Sequence, residues 1–227
     1  MQEPLIRSFI IAHKACPLPP CYGRNFTVMA KGDYTPPEGT PFVRHTSGDT
    51  ISHRDAHWAE ITAMYWVWKN VPDIDYVSFP HYRRLFFHLV HPGRHLLLDK
   101  IYVEPTPQVL ATLVSEHNML ALRQKLAVAD CVIPNTVHFG HTIASQYAAA
   151  HQKEHWACFM DHVSQLGGRY KEHLGWFDQC FEFHPYLMAV LPWRIFDEFL
   201  GTTVPLLERL TPELTLSDGY QARAPGF

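Results

Sequence analysis

DIDYVSFPHYRRLFF, residues 73–87, sets an apolar run against a charged stop. Residues 76–79 have the β-branched and aromatic make-up of a buried strand, and Pro80 ends it. Four residues that are awkward to bury, His81, Tyr82, Arg83 and Arg84, follow at once. In open α/β sheets ligands bind just beyond the carboxyl ends of the strands. Two guanidinium groups at such an end offer forked donors that fit phosphate oxygens, and they stay charged at any physiological pH. The functional reading is a site for a mono- or diphosphate group. The structural alternative is a pair of solvated arginines beside an apolar loop.

Outward from that strand, the pattern alternates. LIRSFIIAH (5–13) reads as a buried first strand, followed by a break at CPLPPCYG (16–23) and a Pro/Gly/Thr loop over 31–50. In 52–70, Ser52 and Asp55 form a loose capping box, and Trp58, Ile61, Tyr65 and Trp68 recur at helical spacing. Residues 106–126 and 142–166 read as helices, ADCVIP (129–134) and FHPYLMAVLP (183–192) as strands, and 193–210 as a closing helix. Strands alternating with helices predict an α/β layered domain with a mostly parallel central sheet flanked by helices.

Composition narrows the function. The 227 residues are 47% hydrophobic and 18% charged with a net charge of −3, a globular make-up without the broad basic face of a nucleic-acid binder. Functional positive charge must then be local. The five cysteines are odd in number, scattered and without a CxxC, which predicts free thiols in a reducing compartment. The apolar stretch near the N-terminus is too short for a signal-peptide core, and no run approaches the ~18 apolar residues of a membrane span. A cytoplasmic protein is expected.

Several templates for chemistry can be weighed. Asp73 and Asp75 literally match an Asp-x-Asp metal signature, but they precede the strand and read as turn formers. Of the sixteen histidines, His151 and His155 stand one helical turn apart, a zinc-compatible spacing without the His-Glu-x-x-His order; His138 and His141 lack a third ligand. Tyr147, His151, Glu154 and His155 fall at i, i+4, i+7 and i+8, one helix face. Such a face could orient a hydroxyl acceptor and take its proton, or simply meet solvent. Nucleophile-elbow, phosphate-loop and dinucleotide motifs are missing from the sequence, which disfavours hydrolase, kinase and dehydrogenase readings.

The block GDTISHRDAHWAEITAMYWVWKN (48–70) followed by DYVSFPHYRRLFF (75–87) closely resembles a bacterial polysaccharide-biosynthesis family, formerly a domain of unknown function, now identified as galactofuranosyltransferases. That pattern runs Gly-Asp-Asn-Ile-Ser, then Glu-Leu-Thr-Ala-x-Tyr-Trp-x-Trp-Lys-Asn, then His-Tyr-Arg-Arg. Gly48, Asp49, Ile51, Ser52, Glu60, Thr62, Ala63, Tyr65, Trp66, Trp68, Lys69, Asn70 and His81 to Arg84 match it. Thr50 and Ala149 depart from it, and the chain ends at QARAPGF where the family continues into a helix.

The resemblance implies a single GT-A-like nucleotide-sugar transferase domain over residues 1–227, without that C-terminal helix. It implies an inverting, metal-independent transfer of galactofuranose from a UDP-sugar to an oligosaccharide, polysaccharide or lipid-linked glycan acceptor, with no cofactor and no nucleic acid. It further implies a role in capsule or O-antigen synthesis, with peripheral association at the inner face of the membrane. His81, Arg83 and Arg84 are expected at the donor diphosphate, with Tyr82 beside them or in the core. Asp49 and Ser52 would meet uridine or ribose hydroxyls, and His13 and Lys14 would approach the nucleotide. His151 or Glu154 is expected as the base, with Asp178 and Glu182 in reserve because WFDQCFEF (176–183) could line the acceptor side, and with Tyr147 near the acceptor. The competing class is a non-catalytic, transferase-like domain that binds glycan or a partner protein.

Overall fold

β1, Ile6–Ala12, is buried at all but one position, as its apolar sequence requires, and becomes the middle strand of the sheet. The computed structural model describes residues 3–20, 25–89, 104–184 and 186–214. β2 (Phe26–Ala30) and β4 (Tyr76–Ser78) flank β1, both parallel to it. β3 (Phe42–Arg44) adds in parallel beyond β2, and β7 (Val190–Pro192) closes the other edge antiparallel to β4. The order is β3-β2-β1-β4-β7. The expected mostly parallel sheet is therefore present, with one antiparallel edge. Leaving β1, the chain goes first to one side and later to the other, so a topological switch point lies between β1 and β4.

Alternation along β1 divides the core. Phe9 and Ile11 point, with Met29, Val77 and Phe79, toward helices α2 (Glu60–Asn70) and α8 (Trp193–Leu210). Phe79 lies between Phe9 and Phe196, ring centroids 6.3 and 5.2 Å away. Burying one such ring stabilises by roughly 2–3 kcal/mol. Ile10, Ala12 and Val28 face the other way with Tyr82, while Ile6 and Val190 pack on Met119 and Leu122 of α4 (Glu116–Leu126).

The helices are more broken than the sequence suggests. The 52–70 stretch divides into a 3-10 turn (Ser52–Arg54), α1 (Asp55–Trp58) and α2, with Ala59 at φ 44, ψ −121 between the last two. No capping box forms: the Thr50 hydroxyl accepts from Ser52 N at 3.0 Å, and Asp55 turns to Lys31 and Thr62. α2 buries Met64, Trp66 and Val67 together with Ile61, so its inner face is not the 58-61-65-68 stripe; Tyr65 and Trp68 are partly exposed. The 106–126 stretch divides into α3 (Pro107–Leu113) and α4, because Ser115 caps α4 by accepting from Asn118 N. The 142–166 stretch divides into α5 (Ile143–Ala150) and α6 (Lys153–Gln165), with His151 and Gln152 extended between them. α7 (Gly168–Gln179), unforeseen, starts at a left-handed pair, Gly167 (φ 70) and Gly168 (φ 48), that L side chains would strain. β5 (Val137–His138) and β6 (Glu182–Phe183) make a small antiparallel ribbon on this helical lobe. FHPYLMAVLP thus yields two strands in different sheets, and ADCVIP only the single bridge Val132–Val190. The C-terminal QARAPGF lies outside the described residues.

Candidate active site

The His-Tyr-Arg-Arg turn stands at the switch point. Past Pro80 the chain keeps pairing with β1: Ile11 N donates to Pro80 O at 3.1 Å and Tyr82 N to Ile11 O at 3.1 Å. His81 N donates to Arg84 O at 2.9 Å and Arg84 N to His81 O at 2.8 Å, closing a four-residue turn. Backbone pairing thereby fixes the turn, and its side chains project at the carboxyl ends of β1 and β4. Asp73 and Asp75 lie at the opposite end of β4. Asp73 adopts φ 58, and Asp75 accepts from Leu5 N at 2.8 Å, a turn-forming role.

His13, beyond β1, reaches the same place, its ring 4.9 Å from Tyr82 and 6.2 Å from His81. Tyr82 itself is buried under this cluster. The Arg83 guanidinium lies 5.1 Å from the Tyr82 ring, and that of Arg84 lies 3.8 Å from the ring of Tyr186, in the segment after β6. Neither guanidinium is paired with a carboxylate among the described residues. The exposed Lys14 adds charge beside His13.

Lys31 and His45, which the sequence pattern did not single out, complete the floor with Asp55 and Glu60. Lys31, buried at the end of β2, contacts Asp55 Oδ1 at 2.6 Å and donates to Ala59 O at 2.6 Å. His45, fully buried, has Nε2 3.7 Å from Asp55 Oδ2. Glu60, the first residue of α2, sets Oε1 3.9 Å from His81 Nε2. A signal was available: Lys31 follows its apolar strand as Lys14 nearly follows β1.

Burial, opposed by Glu60 and reinforced by Arg84 and Arg83, holds the His81 pKa down to about 4. His81 is therefore neutral at pH 7, and its contact with Glu60 is not an ion pair. Burial and the neighbouring Lys14 likewise lower His13. The buried His81 Nδ1 and Tyr82 hydroxyl have no hydrogen-bond partner among the described residues. The turn thus supplies two guanidinium cations and a neutral imidazole, with the His13 ring beside them.

The other expected site residues lie elsewhere. Asp49 accepts from Tyr65 Oη at 3.1 Å, and Asp49 N donates to Asn70 Oδ1 at 3.0 Å, at the last turn of α2. Glu60 and Asn70 are about 15 Å apart along the helix, so Asp49 and the His-Tyr-Arg-Arg turn lie at opposite ends of α2. Ser52 belongs to the 3-10 turn, where its hydroxyl caps no helix. The break at His151 takes Glu154 and His155 off the face of Tyr147 and ends the one-turn spacing of His151 and His155. Tyr147 is buried against Trp156, which holds its pKa up to about 12, and its ring stacks on His151 at 4.7 Å. Glu154 is 71% exposed, 4.0 Å from Lys153. Asp178 accepts from Trp156 Nε1 at 2.9 Å, and Glu182 faces His138 at 3.5 Å. These residues form a separate helical lobe, which meets the turn where Arg84 lies over Tyr186.

A mainly parallel sheet with helices on both faces and a cationic turn at its switch point defines a GT-A-like α/β architecture. It superimposes on the apo structure of the bifunctional glycosyltransferase WbbM with a TM-score of 0.79 at 18% identity, covering 98% of this chain and 40% of that one. The profile of the family described as Domain of unknown function (DUF4422) matches residues 7–227, and the chain belongs to that family. No match was found among curated proteins. No helix among the described residues is long and apolar enough to cross a membrane.

Proposed function

We propose that this protein is a glycosyltransferase that moves a hexose, galactofuranose, from a UDP-sugar to an oligosaccharide, polysaccharide or lipid-linked glycan acceptor of capsule or O-antigen synthesis. One observation carries the reading: two guanidinium groups without carboxylate partners among the described residues stand at the switch point of a GT-A-like sheet, while Asp73 and Asp75 lie at the other end of β4. The family and the WbbM fold support it; the sugar comes from the resemblance of the 48–87 block.

In this mechanism the acceptor O–H attacks the anomeric carbon from the side opposite the diphosphate. The new C–O bond forms as the bond from that carbon to the β-phosphate oxygen breaks, and UDP departs with its electron pair. Arg83 and Arg84 neutralise the charge that grows on the leaving oxygen, and neutral His81 donates a hydrogen bond to it. His13 and Lys14 border the nucleotide. We assign the proton acceptor to Glu60, whose carboxylate stands 3.9 Å from His81 Nε2 beside the arginine turn, in preference to His151 and Glu154 on the helical lobe. No donor metal is required, and the product is inverted. The protein would work at the inner face of the membrane.

The test is a donor panel: UDP-galactofuranose, UDP-galactopyranose and UDP-glucose, each with a glycan acceptor. Transfer from the furanose alone is the expected result. Transfer from a pyranose only would replace the sugar. Failure of UDP to bind in calorimetry would favour the non-catalytic glycan binder.

A further inference from the structure

Away from the crevice, α6 carries ligand-type side chains that the transfer reaction leaves unused. Cys158 and His162 stand at i and i+4, one turn apart on one side of the helix. Glu213 comes from the 3-10 turn Thr211–Glu213 that follows α8. His162 Nε2 lies 3.0 Å from Glu213 Oε1, Cys158 Sγ lies 3.6 Å from Glu213 Oε2, and a ligand atom of each residue lies within 4.8 Å of the others. Tetrahedral zinc, with bonds of about 2.0–2.3 Å, separates its donors by about 3.3–3.6 Å. The His162 and Cys158 separations, each to a different oxygen of the Glu213 carboxylate, are already near that range.

We propose that Cys158, His162 and Glu213 bind a zinc ion. The donor set selects the metal: a thiolate with an imidazole suits zinc, whereas magnesium and calcium take oxygen ligands. The charges match, since a thiolate and a carboxylate together balance a divalent ion. A nucleophilic cysteine is a poorer account, because the nearest partner of the sulfur is a carboxylate, which opposes the thiolate unless a cation intervenes. Glu213 is 57% exposed, which leaves an entry path and room for water as the fourth ligand.

The consequence is mechanical. The turn that carries Glu213 is already tied to α1 by the buried hydrogen bond from Trp58 Nε1 to Thr211 Oγ1 at 2.9 Å. An ion shared with α6 would fasten the helical lobe to the sheet that carries the crevice.

Cobalt(II) titrated into the purified full chain is the probe. One equivalent should give a thiolate-to-cobalt charge-transfer band and intense tetrahedral visible bands, both erased by zinc, and zinc should raise the melting temperature. Loss of an outer-sphere partner typically weakens a site about 10–100-fold, so Cys158→Ser and Glu213→Gln should each weaken zinc binding by at least that much. Glu213 is largely exposed, so its variant tests the site even if changes on α6 disturb folding. No charge-transfer band, a band that survives Cys158→Ser, or unchanged zinc affinity in Glu213→Gln would each overturn the site.

Discussion

The ammonium of Lys31 stands 2.6 Å from the Asp55 carboxylate and at the same time holds the carbonyl of Ala59, the residue where α1 and α2 join. One buried cation thus connects the end of β2 to the bend that presents Glu60. Lys31→Met should destabilise the fold by about 2–3 kcal/mol. That lies at or below the 3–5 kcal/mol typical of breaking a buried pair, since Asp55 keeps some contact with water. A urea midpoint unchanged from the parent would show that the bend holds without it.

Ala59 itself, at φ 44 and ψ −121, occupies backbone space that suits glycine. Relief of strain of about 1–3 kcal/mol outweighs the entropy glycine loses on folding, so Ala59→Gly should stabilise by roughly 1 kcal/mol. Ala59→Val should do the reverse. Paired thermal melts check both signs; a destabilised glycine variant would mean the bend is not strained.

Glu60→Gln should lower kcat by about 10²–10⁴-fold if its carboxylate takes the acceptor proton, with UDP affinity nearly unchanged. His151→Gln and Glu154→Gln should leave kcat within a few-fold. A large loss in either of these, with Glu60→Gln nearly silent, would move the base to the helical lobe.

Stability should fall with acid in a defined window. His81 and His88 are each held down to about 4 by burial, below their ordinary 6.5. Between those values the unfolded chain binds protons that the folded chain does not, so their contribution is intact above pH 6.5 and is lost as pH drops toward 4. One such histidine accounts for on the order of 3 kcal/mol. His88→Leu should therefore flatten the pH dependence of the urea midpoint between 6.5 and 4. The same slope in the variant would take His88 out of the account and leave the loss to His81 and the carboxylates.

How far the sequence carries the fold depends on what each signal measures. β1 and β4 were legible because strands buried on both faces leave continuous apolar runs, and the His-Tyr-Arg-Arg stop marked the end of β4. β2 and β3 were not: Phe26–Ala30 sits between Pro/Gly-rich segments, and Phe42–Arg44 is a three-residue edge that only pairing defines. Helix periodicity survived each break, at Ala59, Ser115 and His151, because it counts apolar spacing and is blind to a residue that leaves helical φ and ψ. That blindness misassigned Glu154 and His155 to the face of Tyr147. Lys31 and His45 went unread, and Asp55 was read as a helix cap, because their role lies in contacts across the fold.

The arginine turn makes the sharpest demand on experiment. Arg83 and Arg84 sit over aromatic rings rather than carboxylates, so removing them leaves no buried charge unpaired and should scarcely change the melting temperature. Each Arg→Ala change should instead weaken UDP binding and lower turnover, by about 10²–10³-fold where the lost donor serves the leaving oxygen. Lysine in their place should rescue only in part, since a point charge lacks the planar fork. Turnover after chelation should not rise on adding manganese or magnesium. Activity lost to chelation and restored by manganese but not by zinc, together with double-alanine protein that still binds UDP normally, would mean that a metal rather than this turn holds the diphosphate.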